Sequence, residues 1–290
     1  MSHRPRVLVT GSSGRVGSAI ARRLALDHQV TGVDVVPGEH TTVLGSIEDP
    51  VVLARALQGA EAIVHVAALH APHVGHVPAA RFVAVNVEAT RRLLDLARAG
   101  GVRRLVYTSS TSVYGHALVP QGGARWVTEE LSPLPRDVYD ETKLAAEALV
   151  RAAASDGGLT CTILRMSRSF PEEAHRVATY RLYRGVDLRD VAEAHALALE
   201  RQPAGCETFN VSARSPFRPE DCGMLLDDPW TVVNRYFPEA DSAYRRLGWP
   251  PPRSIDRVYV TAKAESALGY SPRFNFAELL ATLQRTEPDS

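Results

Sequence analysis

Tyr139-Asp-Glu-Thr-Lys143 opens a helical run that continues through Leu144-Ala-Ala-Glu-Ala-Leu149, which sets a phenol and an ammonium one turn apart on the same face. That geometry makes an acid–base pair. A phenol, with a pKa of roughly 10, is a poor base near neutrality. A neighbouring ammonium stabilises phenolate and lowers the value, giving a group able to take a proton from a carbinol or return one to a ketone. Tyr-x-x-x-Lys also recurs by chance on helix surfaces, so its place among the other motifs decides. Upstream, Leu105-Val-Tyr-Thr-Ser-Ser-Thr-Ser-Val-Tyr-Gly115 puts hydroxyls at the C-terminal end of a strand, where open parallel sheets bind ligands. Ser110 is the candidate to share a substrate oxygen with Tyr139, and Thr111 and Ser112 stand beside it as substrate contacts. A Ser/Thr-rich turn that only caps the strand is the alternative.

The elements that must carry these groups start at the N-terminus. Val7-Leu-Val-Thr-Gly-Ser-Ser-Gly-Arg-Val-Gly17 is an apolar strand that empties into Gly11, Gly14 and Gly17 and then into a helix. Gly11 allows a tight turn, Gly14 lets the backbone approach a phosphate, Gly17 lets helix and sheet pack closely, and the helix N–H groups face the anion. Ser13, Arg15 and Val16 belong to the same loop and are expected cofactor contacts. A second strand, Gln29-Val-Thr-Gly-Val-Asp34, ends on an acid 17 residues after Gly17. A carboxylate there accepts hydrogen bonds from a ribose and repels a 2′-phosphate, so NAD is favoured over NADP.

Strand runs Ala62–Val66, Arg104–Ser109 and Leu159–Arg165 alternate with helical segments near Arg15–Leu26, Pro50–Leu57, Val85–Arg98 and Val138–Ala154. This is the pattern of an α/β fold, a doubly wound parallel Rossmann sheet. Residues 1–165 read as the NAD-binding domain with the Ser/Tyr/Lys set. Residues 166–290, rich in proline, read as a small C-terminal substrate-covering region in which 186–213 returns to the main sheet through a helix at Asp190–Glu200 and a strand at Thr208–Val211, with Phe274–Leu283 a terminal helix. From 214 to 260 the sequence shows only prolines and aromatics.

The 290 residues are 45% apolar and 23% charged, and 33 basic residues balance 33 acidic ones. This is the composition of a globular protein with no net field to recruit nucleic acid or an anionic membrane. Cys161, Cys206 and Cys222 form no Cys-x-x-Cys pair, which fits a reducing compartment. No apolar run approaches the ~18 residues of a membrane helix, and a cytoplasmic location is expected. His65, His70, His73 and His76 crowd one stretch. No carboxylate or cysteine cluster accompanies them, so no metal is expected. Substrate contact by His70 or His73 and a plain exposed loop are both open.

In motif order the chain resembles an extended short-chain dehydrogenase/reductase, the group of NAD-dependent epimerases/dehydratases. The resemblance rests on Thr-Gly-x-x-Gly-x-x-Gly at 10–17, Asp34, Val64-His-Val-Ala-Ala68, Asn86 in Asn-Val-Glu-Ala-Thr90, the Ser-Ser-x-x-Val-Tyr-Gly run at 109–115, Thr128-Glu-Glu, Tyr139 with Lys143, Leu164-Arg165 and Val186-Asp-Leu-Arg-Asp-Val-Ala-Glu-Ala194. It implies Tyr139 as acid/base, Lys143 as the residue that tunes it and holds the nicotinamide ribose, and Ser110 as the third catalytic group. It also implies Ser46 and Ile47 against the adenine, and Ala67, Ala68 and Asn86 in the cofactor site. Where sugar-nucleotide members read Leu-Arg-x-x-Asn-Val-Tyr-Gly-Pro, this chain reads Leu164-Arg-Met-Ser-Arg-Ser-Phe-Pro171, and only about twenty residues separate Pro171 from Asp190. The shortening is similar to that of members that oxidise free uronic acids. Ser167, Arg168 and Arg176 are the expected substrate contacts there, the arginines as carboxylate partners. The resemblance therefore implies an NAD-dependent oxidoreductase acting on a secondary alcohol or lactol carbon of a sugar-like substrate. A sugar-nucleotide epimerase or dehydratase and a non-catalytic NAD-sensing protein are the alternatives. A homodimer through Val85–Arg98 and Val138–Ala154 is expected on the same ground.

Overall fold

The computed structural model describes residues 4–201 and 203–285. The outermost parts of the two expected divisions, 1–3 and 286–290, lie outside the described residues. The elements run β1 Arg6–Thr10, α1 Arg15–Leu24, β2 Gln29–Asp34, β3 Thr41–Leu44, α2 Pro50–Ala56, β4 Ala62–His65, α3 Ala79–Phe82, a π-helical turn Val83–Glu88, α4 Ala89–Ala99, β5 Arg104–Ser110, β6 Arg125–Val127, α5 Val138–Ser155 and β7 Thr160–Met166. There follow α6 Ala174–Arg181, α7 Leu188–Arg201, β8 Cys206–Val211, α8 Cys222–Asp227, α9 Pro229–Tyr236, α10 Ala240–Leu247, β9 Arg257–Tyr259, α11 Ala262–Leu268 and α12 Phe276–Arg285.

Seven strands form one sheet in the order β3-β2-β1-β4-β5-β7-β8, all neighbours parallel. Successive residues of a strand point to opposite faces, and both faces here are buried. Leu8, Ile63, Leu105 and Ile163 pack beneath α2, α4 and α5, with Leu53, Leu93 and Val150 as partners. Val7, Val9, Val64 and Val106 pack on the other face against α1, α7 and α11, with Ile20, Leu24, Val191 and Leu268. This is why these strands read as unbroken apolar runs. Strand order reverses between β1 and β4, which opens a crevice above their C-terminal ends.

A third core, with Leu182, Phe217, Leu225, Val232, Tyr244 and Phe276, lies outside the sheet layers. It is built from α6, α8, α9, α10 and α12, and β6 pairs with β9 beside it. The packing crosses the expected boundary at 165 in both directions. Arg125–Val127 joins the second sheet, while α11 lies with α7 and β8 on the first. Among the differences from expectation, β3 is a four-residue, half-exposed strand too short to show a period. The helix expected at Val85–Arg98 starts one and a half turns earlier and passes through a π turn. The segment 214–260 holds three short α-helices, a 3-10 turn and a strand, each too short to show a repeating apolar stripe.

Candidate active site

The glycine loop is held by contacts that tolerate no side chain. Gly11 has φ +71°, and a Cβ there would stand 2.9 Å from the Ala67 amide nitrogen. A Cβ on Gly17 would fall 1.9 Å from the Gly11 carbonyl oxygen. Gly14 differs: a Cβ there would meet only the Gly11 carbonyl, at 3.3 Å, so its bareness serves the cleft rather than the packing. Gly14 caps α1, whose first turn carries no acidic residue, and its N-terminus faces the cleft. This glycine cradle fits an anionic diphosphate.

The neighbouring strand ends are tied to that loop. The Thr10 hydroxyl accepts from the amides of Val66 and Ala67 at 3.0 and 3.1 Å and donates to His65 Nδ1 at 2.7 Å. His65 Nε2 then donates to the Thr90 hydroxyl at 2.9 Å. Burial drops the His65 pKa to about 3, so it is a neutral structural imidazole. Asp34 accepts from the amides of Ser13 at 2.9 Å and Val36 at 3.1 Å and lines the cleft, as do Ser46 and Ile47.

One cleft of about 910 Å³ runs from these residues past the end of β5 to Arg184, Arg257 and Tyr259. It is lined by Gly11, Ser13, Gly14, Arg15, Val16 and Gly17, by Ala67, Ala68 and His70, and by Ser110, Thr111, Ser112, Tyr139, Lys143, Ser167 and Arg168. Two expected residues stand elsewhere. Asn86 is 1% exposed and outside the lining; its amide is spent on the Leu69 backbone, accepting at 2.7 Å and donating at 2.9 Å, and on Thr142 at 3.0 Å. It braces the loop behind Ala67–His70. Arg176, on α6, turns toward Glu172 at 3.8 Å and is likewise outside the lining.

Tyr139 begins α5 because Asp137 caps the helix, accepting from the amides of Tyr139 and Asp140. Its phenol lines the cleft together with the Ser110 hydroxyl, which accepts from the Ser112 amide at 3.1 Å. Lys143 Nζ donates to the Thr108 carbonyl at 2.7 Å and lies 4.5 Å from the Tyr107 ring centre. Burial pulls the Lys143 pKa down to about 7, against the attraction of Glu147. The expectation of a lowered phenol is reversed: burial pushes Tyr139 up to about 12 although the nearby Ser110 hydroxyl opposes it. Below the pair, Glu147 accepts from Ser109 at 2.7 Å and from two nitrogens of Arg165 at 2.9 and 2.7 Å. Against its burial, those Arg165 bonds hold Glu147 below the usual carboxylate range.

At the far end of the cleft the polar side chains are largely engaged. Ser112 bonds to Asp140 and accepts from Arg136 at 2.9 Å, Ser167 donates to Ser212 at 3.0 Å, and Arg168 pairs with Glu172. His70 and His73 both line the cleft with ring centres 4.9 Å apart, and among the described residues no three His, Cys, Asp or Glu gather to hold a metal. Sequence reasoning missed Arg136, Arg184, Arg257 and Tyr259, which also line it. Arg136 sits next to the α5 cap and could have been read from that position. Arg257 and Tyr259 arrive through β9, and no periodicity links them to Tyr139.

A model of the NAD dependent epimerase/dehydratase family matches residues 7–184. The UDP-glucose 4-epimerase of Corynebacterium glutamicum is 28% identical over a 314-residue alignment that covers 92% of this chain and 91% of that protein. The 3-beta-hydroxysteroid dehydrogenase of Mycolicibacterium neoaurum is 36% identical over 174 residues, 54% of this chain and 46% of that protein. The chain therefore spans about half the length of that steroid dehydrogenase. Among solved structures, a short-chain dehydrogenase/reductase superfamily protein from Agrobacterium tumefaciens with bound NAD superposes with a TM-score of 0.73, covering 97% of each chain at 26% identity. With the glycine loop, the acid ending β2 and the Ser-Tyr-Lys set in one cleft, and a family model matching well over half of its length, the chain belongs to the NAD-dependent epimerase/dehydratase family.

Proposed function

We propose that the protein is an NAD-dependent oxidoreductase that moves a hydride between NAD and a secondary alcohol or lactol carbon of a sugar-like substrate. The observation that carries this reading is that Ser110, Tyr139 and a Lys143 anchored on the Thr108 carbonyl line the same cleft as the glycine loop. When bound, NAD supplies the hydride acceptor and a positive charge that favours phenolate at Tyr139. The loop at 11–17 holds the diphosphate and Asp34 the adenosine ribose. Lys143 holds the second ribose, Ser110 orients the substrate oxygen, and Tyr139 Oη takes its proton. His70, on the loop after β4, and Thr111, directly past the end of β5, contact substrate. The pruned stretch between Pro171 and Asp190, filled by the eight-residue α6, supports a substrate smaller than a sugar nucleotide.

Tyr139→Phe keeps the ring and removes the proton carrier, and turnover with NAD is expected to fall at least about 100-fold. Near-normal turnover in this variant overturns the mechanism. The near full-length match to a UDP-glucose 4-epimerase favours a second reading, in which the hydride returns and NAD stays bound. Denaturing the purified protein and counting NAD per chain separates the two: near one means retention and the epimerase reading, little or none means exchange and a dehydrogenase. The reading includes a homodimer packed through α4 and α5 in the cytoplasm, which light scattering and fractionation test. No helix among the described residues is long and apolar enough to cross a membrane.

A further inference from the structure

Charge divides along the cleft. Its lining carboxylates, Asp34 and Glu48, both stand at the end bounded by β2 and β3. The other end, past Tyr139, is lined by Arg136, Arg168, Arg184 and Arg257 and, among the described lining residues, by no carboxylate. Three of these guanidiniums are already met from behind. Arg136 Nε donates to Asp140 at 3.0 Å, Arg168 Nε to Glu172 at 2.8 Å, and Arg257 Nε to Asp256 at 2.9 Å.

Arg184 is different. Among the described residues its guanidinium makes no hydrogen bond or ion pair and lies over the rings of Tyr180 and Tyr183, 4.8 and 5.8 Å from their centres. Asp256 feels its charge, but both oxygens of that carboxylate are taken by Arg257. Glu172 is likewise shared between Arg168 and Arg176. Glu172 and Asp256 therefore each answer two arginines, Asp140 is taken by Arg136 and Ser112, and the stacked Arg184 fork is oriented with its donors unspent. A planar guanidinium held on aromatic faces is preorganised for a pair of anionic oxygens.

We propose that Arg184 is the docking point for an anionic group of the substrate, a carboxylate or a phosphate, in the basic half of the cleft. This rests on the reading that the cleft takes a sugar-like alcohol, and it narrows that class to acidic sugars. The corollary is that Arg168 shapes the pocket through Glu172 and Tyr180 and is not itself the anion receptor.

The test is calorimetric titration of the full-length, NAD-saturated protein with D-glucuronate and D-galacturonate as carboxylate probes, D-glucose 6-phosphate as the phosphate probe and D-glucose as the neutral one. At least one anionic probe is expected to bind ten-fold or more tightly than glucose, and the arm in which it does so names the anion. Arg184→Met keeps the packing on the tyrosines and is expected to abolish the preference, about 10- to 100-fold in affinity, with Arg184→Lys intermediate. Arg245→Met, on an exposed face of α10, leaves it unchanged. Equal binding of glucose, no binding by any anionic probe, or a preference that survives Arg184→Met overturns the proposal. NADH formation is measured separately with the same sugars. Turnover on neutral sugars without anion preference removes Arg184's role and keeps the oxidoreductase. Anion preference without turnover does the reverse.

Discussion

Lys143 Nζ donates to the Thr108 carbonyl at 2.7 Å, so the helix that carries Tyr139 is tied to the strand that carries Ser110 by a buried amine. Thr108 is fixed in turn, its hydroxyl donating to His195 Nε2 at 2.8 Å while His195 Nδ1 donates to the Val191 carbonyl at 2.7 Å. Burial holds His195 neutral, with a pKa of about 4. The position of the amine thus depends on α5, β5 and α7 together.

Lys143→Met is expected to remove at least about 99% of turnover and to stabilise the cofactor-free protein. In the unfolded chain the amine titrates in its ordinary range near 10.5, and in the fold near 7. The unfolded state binds the extra proton between these values, so this group's penalty is full below about pH 7 and fades as pH rises toward 10.5. Urea denaturation at pH 6.5 and 9.5 checks the sign: the advantage of the variant over wild type, of the order of a few kcal/mol at the lower pH, shrinks at the higher one.

Two glycine substitutions separate packing from ligand access. Gly17→Ala drives a methyl into the Gly11 carbonyl and is expected to destabilise the fold by about 1–3 kcal/mol along with loss of cofactor binding. Gly14→Ala, at φ −67° and with a nearest contact of 3.3 Å, is expected to leave Tm nearly unchanged while raising the NADH dissociation constant about ten-fold or more. Thermal unfolding and NADH fluorescence titration read the two effects separately.

Asp34 is half-exposed at the end of β2 and already accepts from two amides, so its charge is held where a 2′-phosphate of NADP would approach. Asp34→Asn is expected to weaken NAD and to narrow its advantage over NADP by about 10- to 100-fold. Competitive titration of the two cofactors measures the ratio; an unchanged ratio removes Asp34 from the selection.

Glu147 is 2% exposed and Arg165 4%, and their paired hydrogen bonds lie directly under Lys143 and Tyr114. Glu147→Ala leaves a buried guanidinium without its partner and is expected to cost about 3–5 kcal/mol of stability. Because the folded carboxyl sits below its ordinary range, its contribution is present at neutral pH and is lost as pH falls through the acid range. Denaturation of wild type and variant from pH 7 to 3 is expected to show the difference shrinking.

Much of the machinery was legible in the residues alone because its determinants are local. Gly11, Gly14 and Gly17 are placed by a strand-to-helix turn of seven residues, Tyr139 and Lys143 by one turn of one helix, and Ser110 by the end of one apolar strand. Asp34 follows from the length of a single β-α-β unit. Burial by contrast is a property of the assembled layers. The sequence implied a phenol lowered by its lysine, but closing α5 onto β5 removes water from both groups, which raises the phenol and lowers the amine. Asn86 and Arg176 carry residue types suited to binding, and only their surroundings turn one to the Leu69 backbone and the other to Glu172. The basic end of the cleft was least legible, since Arg136, Arg184 and Arg257 are brought together from an α5 flank, the turn after α6 and a three-residue strand, 121 residues from first to last. Which of them is left without a carboxylate is decided by tertiary packing, because charge compensation depends on distances that no spacing in the chain encodes.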